Sequence, residues 1–254
     1  MRIRRIVAVA AFAFLLILGQ SGNANAAEIR VLCSNGLQAV MEDLAPQFER
    51  AMGHKVVVKF GLAAAFKRQI EAGEPFDLAV LTPPLIDDLI KQNKLAADTR
   101  TVIARAGLGI MIRAHARKPD VATTEAFKRS LLGAKSIAYA KEGASGVAFA
   151  GLIERLGIAD TLKPRLKPMG SGEEVNNLVV RGDAEFAVLP LSEILSVKGA
   201  ELGGMFPADV QSYIIMIAAV SSSAKQGAAA RDLIKFLTSP ATLPTIKTKG
   251  MERN

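Results

Sequence analysis

The sequence has no tryptophan, one cysteine and two histidines in 254 residues. A single cysteine cannot form a disulfide within the chain. The two histidines, His54 and His115, lie far apart, and neither a CxxC nor an HExxH motif is present, so the sequence predicts no protein metal site and no cofactor. It also has no dense run of lysine and arginine interleaved with aromatic residues, and we expect no nucleic-acid partner.

The N-terminal segment has the three parts of an export signal. Three arginines precede an apolar run over residues 6–18, which is short for a bilayer-spanning helix, and Ala-Asn-Ala at 24–26 matches an A-x-A cleavage site. A retained membrane anchor is the alternative interpretation, which the small and polar residues after the apolar run disfavour. We therefore predict a signal peptide over residues 1–26 and a periplasmic mature protein beginning at Ala27.

The composition is that of a globular protein with a mild basic excess. Half of the residues are apolar and 22% are charged, which suffices for one large domain or two small ones. The predicted signal peptide contains three arginines and no acidic residue, so its removal lowers the formal net charge from +8 to +5. A charge of this sign favours an anionic ligand.

Apolar patterning alternates between strand and helix along the chain. Strand-like runs occupy 28–33, 55–60, 77–81, 107–113, 136–140, 185–189 and 212–220. Helical spacing follows at 37–48, 64–72, 85–92, 124–132, 147–156, 173–181 and 228–237. We expect Pro46 to kink or break the first helix, and we expect Thr124 to cap the helix predicted over 124–132. The alternation predicts an α/β fold with parallel sheets covered on both faces.

The strands tend to end at small or polar turns that lead directly into helices. In open parallel sheets, ligands bind where the carboxyl ends of strands meet the N-termini of helices, because unpaired backbone N–H groups point outward there. Two such sheets facing each other would form a cleft with helix starts on both walls.

Five stretches resemble the periplasmic solute-binding proteins of ABC importers with the type II fold, and most closely their molybdate-binding group. These stretches are VLCSNG, FGLAAAFKRQIEAGEPFDLAVL, AKEGASGVAFAGLIERLGIADTLKPRL, RGDAEFAVLPLSEI and AARDLIKFLTSPA. The resemblance implies two lobes, each a mainly parallel sheet flanked by helices. Lobe 1 would comprise residues 27–106 and 212–254, and lobe 2 residues 107–211. The implied partners are a small anionic ligand and an ABC permease of the inner membrane, and the protein would be a monomer.

The family binds an oxyanion through serine hydroxyls and backbone N–H groups, without opposing charges. The match and the strand-end turns together predict ligand contacts at Ser34, Asn35, Gly36, Ala64, Thr82, Ser145, Gly146, Val175, Asn176 and Pro190. Gly36 stands where the family has a serine, residues 61–65 replace a run of serines, and Pro190 replaces a tyrosine. Each hydrogen bond to a charged group contributes about 1.5–3 kcal/mol. The lost hydroxyls therefore favour an organic carboxylate over a molybdate-like oxyanion.

Structural roles compete with ligand binding at several of these positions. Ser34, Asn35 and Ser145 are also ordinary helix caps, and Thr82 precedes a proline that suits a helix start. Cys33 lacks a neighbouring base in the sequence, which favours a buried apolar role over a nucleophile. Five cations lie near the predicted turns, and surface exposure is the simpler role for each: Lys67, Arg68, Arg105, Lys141 and Arg181. For a di- or tricarboxylate ligand, Lys141 and Lys67 would turn inward.

Two functions of different class follow from the resemblance. The first is a binding protein that delivers a small anion to an ABC importer, with no catalytic residue. The second is a periplasmic isomerase of an unsaturated tricarboxylate such as aconitate, which requires a positioned base; Glu142, Glu173 and Cys33 are the candidates. A sensor ectodomain or partner-presenting protein is a third alternative.

Overall fold

The computed structural model describes residues 26–253. The predicted signal peptide lies outside the described residues, apart from Ala26. Over the described range, no helix combines the length and the apolar character needed to cross a membrane.

The first part of the chain forms three strand–helix pairs in succession. They are β1 (Glu28–Ser34), α1 (Gln38–Met52), β2 (Lys55–Gly61), α2 (Ala63–Glu71), β3 (Leu78–Leu81) and α3 (Pro83–Lys91). Strand β1 pairs in parallel with β2 on one side and β3 on the other. Val31 packs in the core beneath α1, whereas Leu32 packs on the opposite face with Phe66 of α2. Successive strand residues thus bury both faces of the sheet.

Strand β4 (Thr101–Arg113) connects this sheet to the second one. The middle of the chain continues with α4 (Thr124–Gly133), β5 (Ile137–Ala140), α5 (Ala144–Arg155), α6 (Ala159–Leu162), β6 (Leu166–Met169), α7 (Gly172–Arg181), β7 (Phe186–Pro190), α8 (Leu191–Ile194) and β8 (Ala200–Met205). Strands β6, β5 and β7 are parallel, and β4 pairs antiparallel with both β7 and β8.

The C-terminal part returns to the first sheet. It contains β9 (Tyr213–Val220), α9 (Gly227–Thr238) and α10 (Leu243–Thr248). Strand β9 lies antiparallel between β3 and the first half of β4. The strand order is β2-β1-β3-β9-β4-β7-β5-β6, with β8 beside β4. The predicted two-lobed α/β architecture is confirmed, with mixed sheets because β9 and β4 run antiparallel to their neighbours. The lobe boundaries stay a prediction.

The structure corrects several local predictions. Helix α1 continues through Pro46, because its apolar face, including Leu44 and Phe48, is buried on both sides of the proline. Thr123 rather than Thr124 caps α4, its Oγ1 accepting from the N–H of Ala126 at 3.1 Å. Strands β6 and β8 are additional, since a proline in one and two glycines in the other hide their strand character in the sequence.

Helix α5 begins against the end of β5 with no room for a side chain at Gly146. A Cβ there would lie 1.9 Å from the carbonyl oxygen of Ala140. Gly151 lies later in the same helix, where the atom nearest to an added Cβ is a guanidinium nitrogen of Arg155 at 3.5 Å. Substituting Gly146 therefore tests the close backbone contact, whereas substituting Gly151 tests helix propensity alone.

We predict that Gly146→Ala lowers the free energy of unfolding by about 1–3 kcal/mol, because the backbone must shift. The control Gly151→Ala should raise it by roughly 0.5–1 kcal/mol, since alanine favours a helix interior. Urea unfolding of both variants measures these changes. Equal effects of the two substitutions would contradict the packing at the start of α5.

Candidate functional site

A small cavity of about 20 Å³ lies between the lobes, where strand ends from both sheets meet helix starts. We call it the enclosed cavity. It is lined by Ser34, Asn35, Gly36, Leu62, Ala63, Ile214 and Met216 from the first lobe, and by Ala140, Gly143, Ala144, Ser145, Gly172, Leu189, Pro190 and Glu193 from the second. Five of the ten predicted ligand contacts are therefore brought together here: Ser34, Asn35, Gly36, Ser145 and Pro190.

Helix starts with no side-chain cap surround this cavity. The turn after Ser34, the start of α2 after Leu62 and the start of α5 after Gly143 each lack a side-chain capping bond among the described residues. A further helix start at the cavity, that of α7, does have a cap: the hydroxyl of Ser171 accepts a hydrogen bond from the N–H of Glu174 at 3.2 Å. An N-terminal turn carries unpaired N–H groups and a partial positive charge. The helix starts therefore direct partial positive charges at a cavity whose lining contains Glu193 and no lysine or arginine.

Ser34 and Asn35 lie on the first-lobe wall. Ser34 is buried, and its side chain makes no cap for the turn that follows, so the capping role expected as an alternative is not observed in the described chain. Asn35 borders the enclosed cavity and a larger one beside it. Ser145, on the opposite wall, is buried in the first turn of α5.

Gly36 lies where the two lobes are in contact, and it is closely packed there. Its carbonyl oxygen accepts a hydrogen bond from the hydroxyl of Ser192 at 2.9 Å, and this bond is buried. A Cβ on Gly36 would lie 2.9 Å from the Cε of Met216. The Met216 side chain thus fills the space that a serine at position 36 would need.

Two larger chambers open on either side of the enclosed cavity. The apolar chamber, of about 520 Å³, contains Ala64 and Thr82. The polar chamber, of about 660 Å³, contains Asn176, whose buried Oδ1 has no hydrogen-bond partner within residues 26–253. Both chambers share residues with the enclosed cavity, so a ligand larger than its anchored group could extend into either.

The other predicted contacts are placed away from these cavities. Val175 is fully buried in the core of the second lobe, and its N–H bonds to the carbonyl of Ser171 at 3.3 Å. Gly146 lies one residue behind Ser145, packed against Ala140. Their ligand contacts stay predictions.

Glu193 is the acidic group of the site, and the sequence analysis missed it. Its side chain lines both the enclosed cavity and the polar chamber. A Cβ placed on Gly172 would lie 3.5 Å from one carboxyl oxygen of Glu193 and 3.8 Å from the amide nitrogen of Asn35. Burial raises the pKa of Glu193 from 4.5 to about 7. The available signal was an acidic residue three positions after the end of a strand, inside a family-like stretch.

The bases considered from the sequence lie in different surroundings. Burial raises the pKa of the Cys33 thiol, which therefore stays protonated, as its predicted apolar role requires. Glu142 pairs with Arg68 at 3.0 Å on the rim of the apolar chamber. Glu173 is an exposed residue of the polar chamber.

The cations near the predicted turns do not line the cavities of the described chain. Lys67 pairs with Glu71 and, at 2.8 Å, with Asp88. Arg105 pairs with Glu252 at 2.9 Å. None of the five candidates, Lys67, Arg68, Arg105, Lys141 and Arg181, is among the residues that line the three interlobe cavities of the described chain. Residues 26–253 also contain no cluster of three or more His, Cys, Asp or Glu side chains placed to hold a metal ion.

Comparison with proteins of known sequence finds relatives of two kinds. An aconitate isomerase from Pseudomonas sp is 28% identical over 236 residues, which cover 88% of this chain and 87% of that protein. The molybdate-binding protein ModA of Azotobacter vinelandii is 29% identical over 232 residues, covering 89% of this chain and 90% of that protein.

Solved structures share the fold. The periplasmic molybdate-binding protein of Azotobacter vinelandii aligns with a TM-score of 0.76 at 22% identity, covering 89% of this chain and 99% of that one. The sulfate-binding protein SubI of Mycobacterium tuberculosis aligns with a TM-score of 0.73 at 17% identity, covering 89% and 86%.

The family model described as bacterial extracellular solute-binding protein matches residues 29–252. This match spans nearly the whole described chain, including every strand that contributes to the interlobe site. It agrees with the resemblance to the molybdate-binding group that the sequence stretches indicated. The chain therefore belongs to the bacterial extracellular solute-binding protein family.

Proposed function

We propose that this protein captures a small organic monoanion between its lobes in the periplasm and delivers it, as a monomer, to an ABC permease. The observation that carries the proposal is the meeting of three uncapped helix starts in one enclosed cavity. The first N–H groups of a helix have no acceptor within the helix, and an anion can supply one. The molybdate-binding relatives support an anion as the class of ligand.

The anion is held by neutral donors. Ser34, Asn35 and Ser145 line the cavity from opposite lobes, and their hydroxyl and amide groups, together with backbone N–H groups, would bind the anion from both lobes at once. Closure around the ligand then follows from the contacts that it completes. In its protonated form, Glu193 adds an O–H donor to this set.

The size and chemistry of the cavity favour a carboxylate over a molybdate-like oxyanion. A volume of about 20 Å³ takes one small group. The first-lobe wall has Gly36, Leu62 and Ala63 where hydroxyl groups would be needed to surround a tetrahedral anion. A planar carboxylate needs fewer donors and leaves the rest of the ligand to a neighbouring chamber.

We predict that Asn35→Ala and Ser145→Ala each weaken carboxylate binding about 10- to 100-fold, because each removes a hydrogen bond to a charged group. The control is Ser130→Ala, which removes a surface hydroxyl whose bond goes to the carbonyl of Asp120. Isothermal titration calorimetry with acetate and butanoate measures the affinities, and thermal shift provides an independent readout. Unchanged affinity in both site variants, or no binding of any small anion to the parent, would contradict the proposal.

A second candidate function is an isomerase of an unsaturated tricarboxylate, favoured by Glu193 and by the aconitate isomerase relative. A carboxyl with a pKa near 7 suits a general base that must accept and return a proton near neutral pH. Glu193 would remove a proton from the carbon beside a carboxylate, the double bond would shift, and the proton would return to the far carbon. The cation-free lining counts against this candidate, because three carboxylates would enter without opposing charge.

We predict no conversion of cis-aconitate to the trans isomer by the purified protein, with proton NMR as the measurement. If conversion is seen, Glu193→Gln should abolish it while retaining the fold, since the amide cannot accept the proton. Conversion at the parent rate in that variant would exclude Glu193 as the base. Conversion by the unsubstituted protein but not by Glu193→Gln would show that the protein is an isomerase, and the proposed binding function would be given up.

Glu193 should also make stability depend on pH. Between pH 4.5 and 7 the unfolded chain has released a proton that the folded chain retains. The free energy of unfolding therefore falls as pH rises through this window, by about 1–3 kcal/mol, and the contribution is constant above it. Glu193→Gln should remove this fall, whereas the control Glu173→Gln should keep it. Urea unfolding across the window tests this, and identical slopes for Glu193→Gln and the parent would contradict it.

A further inference from the structure

The apolar chamber adjoins the enclosed cavity. Ala63, Ala144 and Ile214 line both spaces, so the wall of one passes directly into the wall of the other. The body of a ligand bound at the uncapped helix starts would therefore lie beside these shared residues. The volume of about 520 Å³ is far larger than the enclosed cavity and accommodates the body of a small organic molecule.

The walls of this chamber are apolar and come from both lobes. Pro83, Leu85 and Ile215 belong to the first lobe, and Val147 belongs to α5 of the second. Val147 is 61% exposed and Tyr213 is 45% exposed, which is high for large apolar side chains. Such side chains facing a cleft indicate a surface that a ligand covers.

The charges around the apolar chamber are paired. Glu142 on its rim is bound to Arg68 at 3.0 Å. The Arg105 guanidinium lies 4.3 Å from the centre of the Tyr213 ring, and the same group pairs with Glu252. Within the described chain, this lining offers no unpaired charge for a second ionic group of a ligand.

The polar chamber on the other side has the opposite character. It presents Glu42, Glu173 and Glu193 together with amide and hydroxyl groups. A second carboxylate would meet these acids, and an apolar body would lie against polar and acidic groups over much of its surface, with Ala39, Phe60, Leu62 and Val197 as the apolar part of the wall. The two chambers therefore differ in what they accept, and only the apolar one suits an uncharged hydrocarbon body.

We propose that the ligand is a monocarboxylate with an apolar body, whose carboxylate binds the helix starts of the enclosed cavity and whose body fills the apolar chamber between Pro83, Val147 and Ile215. This inference rests on the proposed anion-binding function and specifies the class of its ligand. It also gives a role to Val147 and Tyr213, which the anion site does not use.

The test is a series of ligands of increasing length, measured on the mature protein by isothermal titration calorimetry. From acetate through butanoate to hexanoate, affinity should rise about fourfold for each methylene, the increment expected for burial in an apolar site. Adipate has the length of hexanoate with a second carboxylate at the far end, and it should bind no more tightly than acetate. Equal affinities for acetate and hexanoate, or tighter binding of adipate than of hexanoate, would overturn the inference.

A pair of exposed valines provides the matched variants. Val147→Gln should weaken hexanoate binding about fivefold and leave the affinity for acetate unchanged, because the substituted side chain lines only the apolar chamber. Val102→Gln changes a valine that is 44% exposed and lies outside the chamber, and it should alter neither affinity. An equal effect of Val147→Gln on both ligands would overturn the assignment of the chamber.

The outcomes separate the two proposals. Binding of acetate and butanoate without any gain from chain length retains the anion site and removes the apolar ligand class. Absence of binding by every carboxylate in the series removes both.

Discussion

The rest of the structure depends on helix N-termini that meet between the lobes without side-chain caps. A buried helix start must find acceptors for its N–H groups, and the turns after Ser34, Leu62 and Gly143 find none from a capping side chain in the described chain. Small residues at these turns let the two lobes approach closely. The helices direct partial positive charges at this narrow space, and the proposed anion would accept from donors of both sheets.

Contacts that join the lobes lie beside this space. The hydroxyl of Ser192 donates to the carbonyl of Gly36 in a buried bond, and Arg68 pairs with Glu142 across the rim. The rim pair is exposed on both partners and contributes little by itself. Ser192 precedes Glu193 in the short helix α8, so one helix supplies both the buried closure contact and the acid of the site. In the proposed function, ligand binding and lobe closure would be coupled through these neighbouring residues.

Glu193 distinguishes this site from one formed only by neutral donors. Its raised pKa lets the same carboxyl donate to an anion when protonated and accept a proton when ionised. A binding protein and an isomerase could both use such a group, and they differ in what surrounds it. Cations would be needed to hold several carboxylates, and none of the five lysines and arginines considered lines the cavities of the described chain; Lys67, for example, pairs with Asp88. In the proposed function, the chemistry of the walls selects the charge and the size of the ligand.

The sequence by itself determined the class of fold, the order of most strands and helices, and the turns that carry the site, because apolar periodicity and strand-end glycines and serines are local signals. It also indicated Ser34, Asn35 and Ser145 as residues of one cavity through the family pattern. Only the tertiary structure showed the place of Glu193 between two cavities and the packing of Met216 against Gly36. Those features depend on residues brought together from segments more than a hundred positions apart, such as Ser192 and Gly36, and no local pattern encodes which side chains two lobes place face to face.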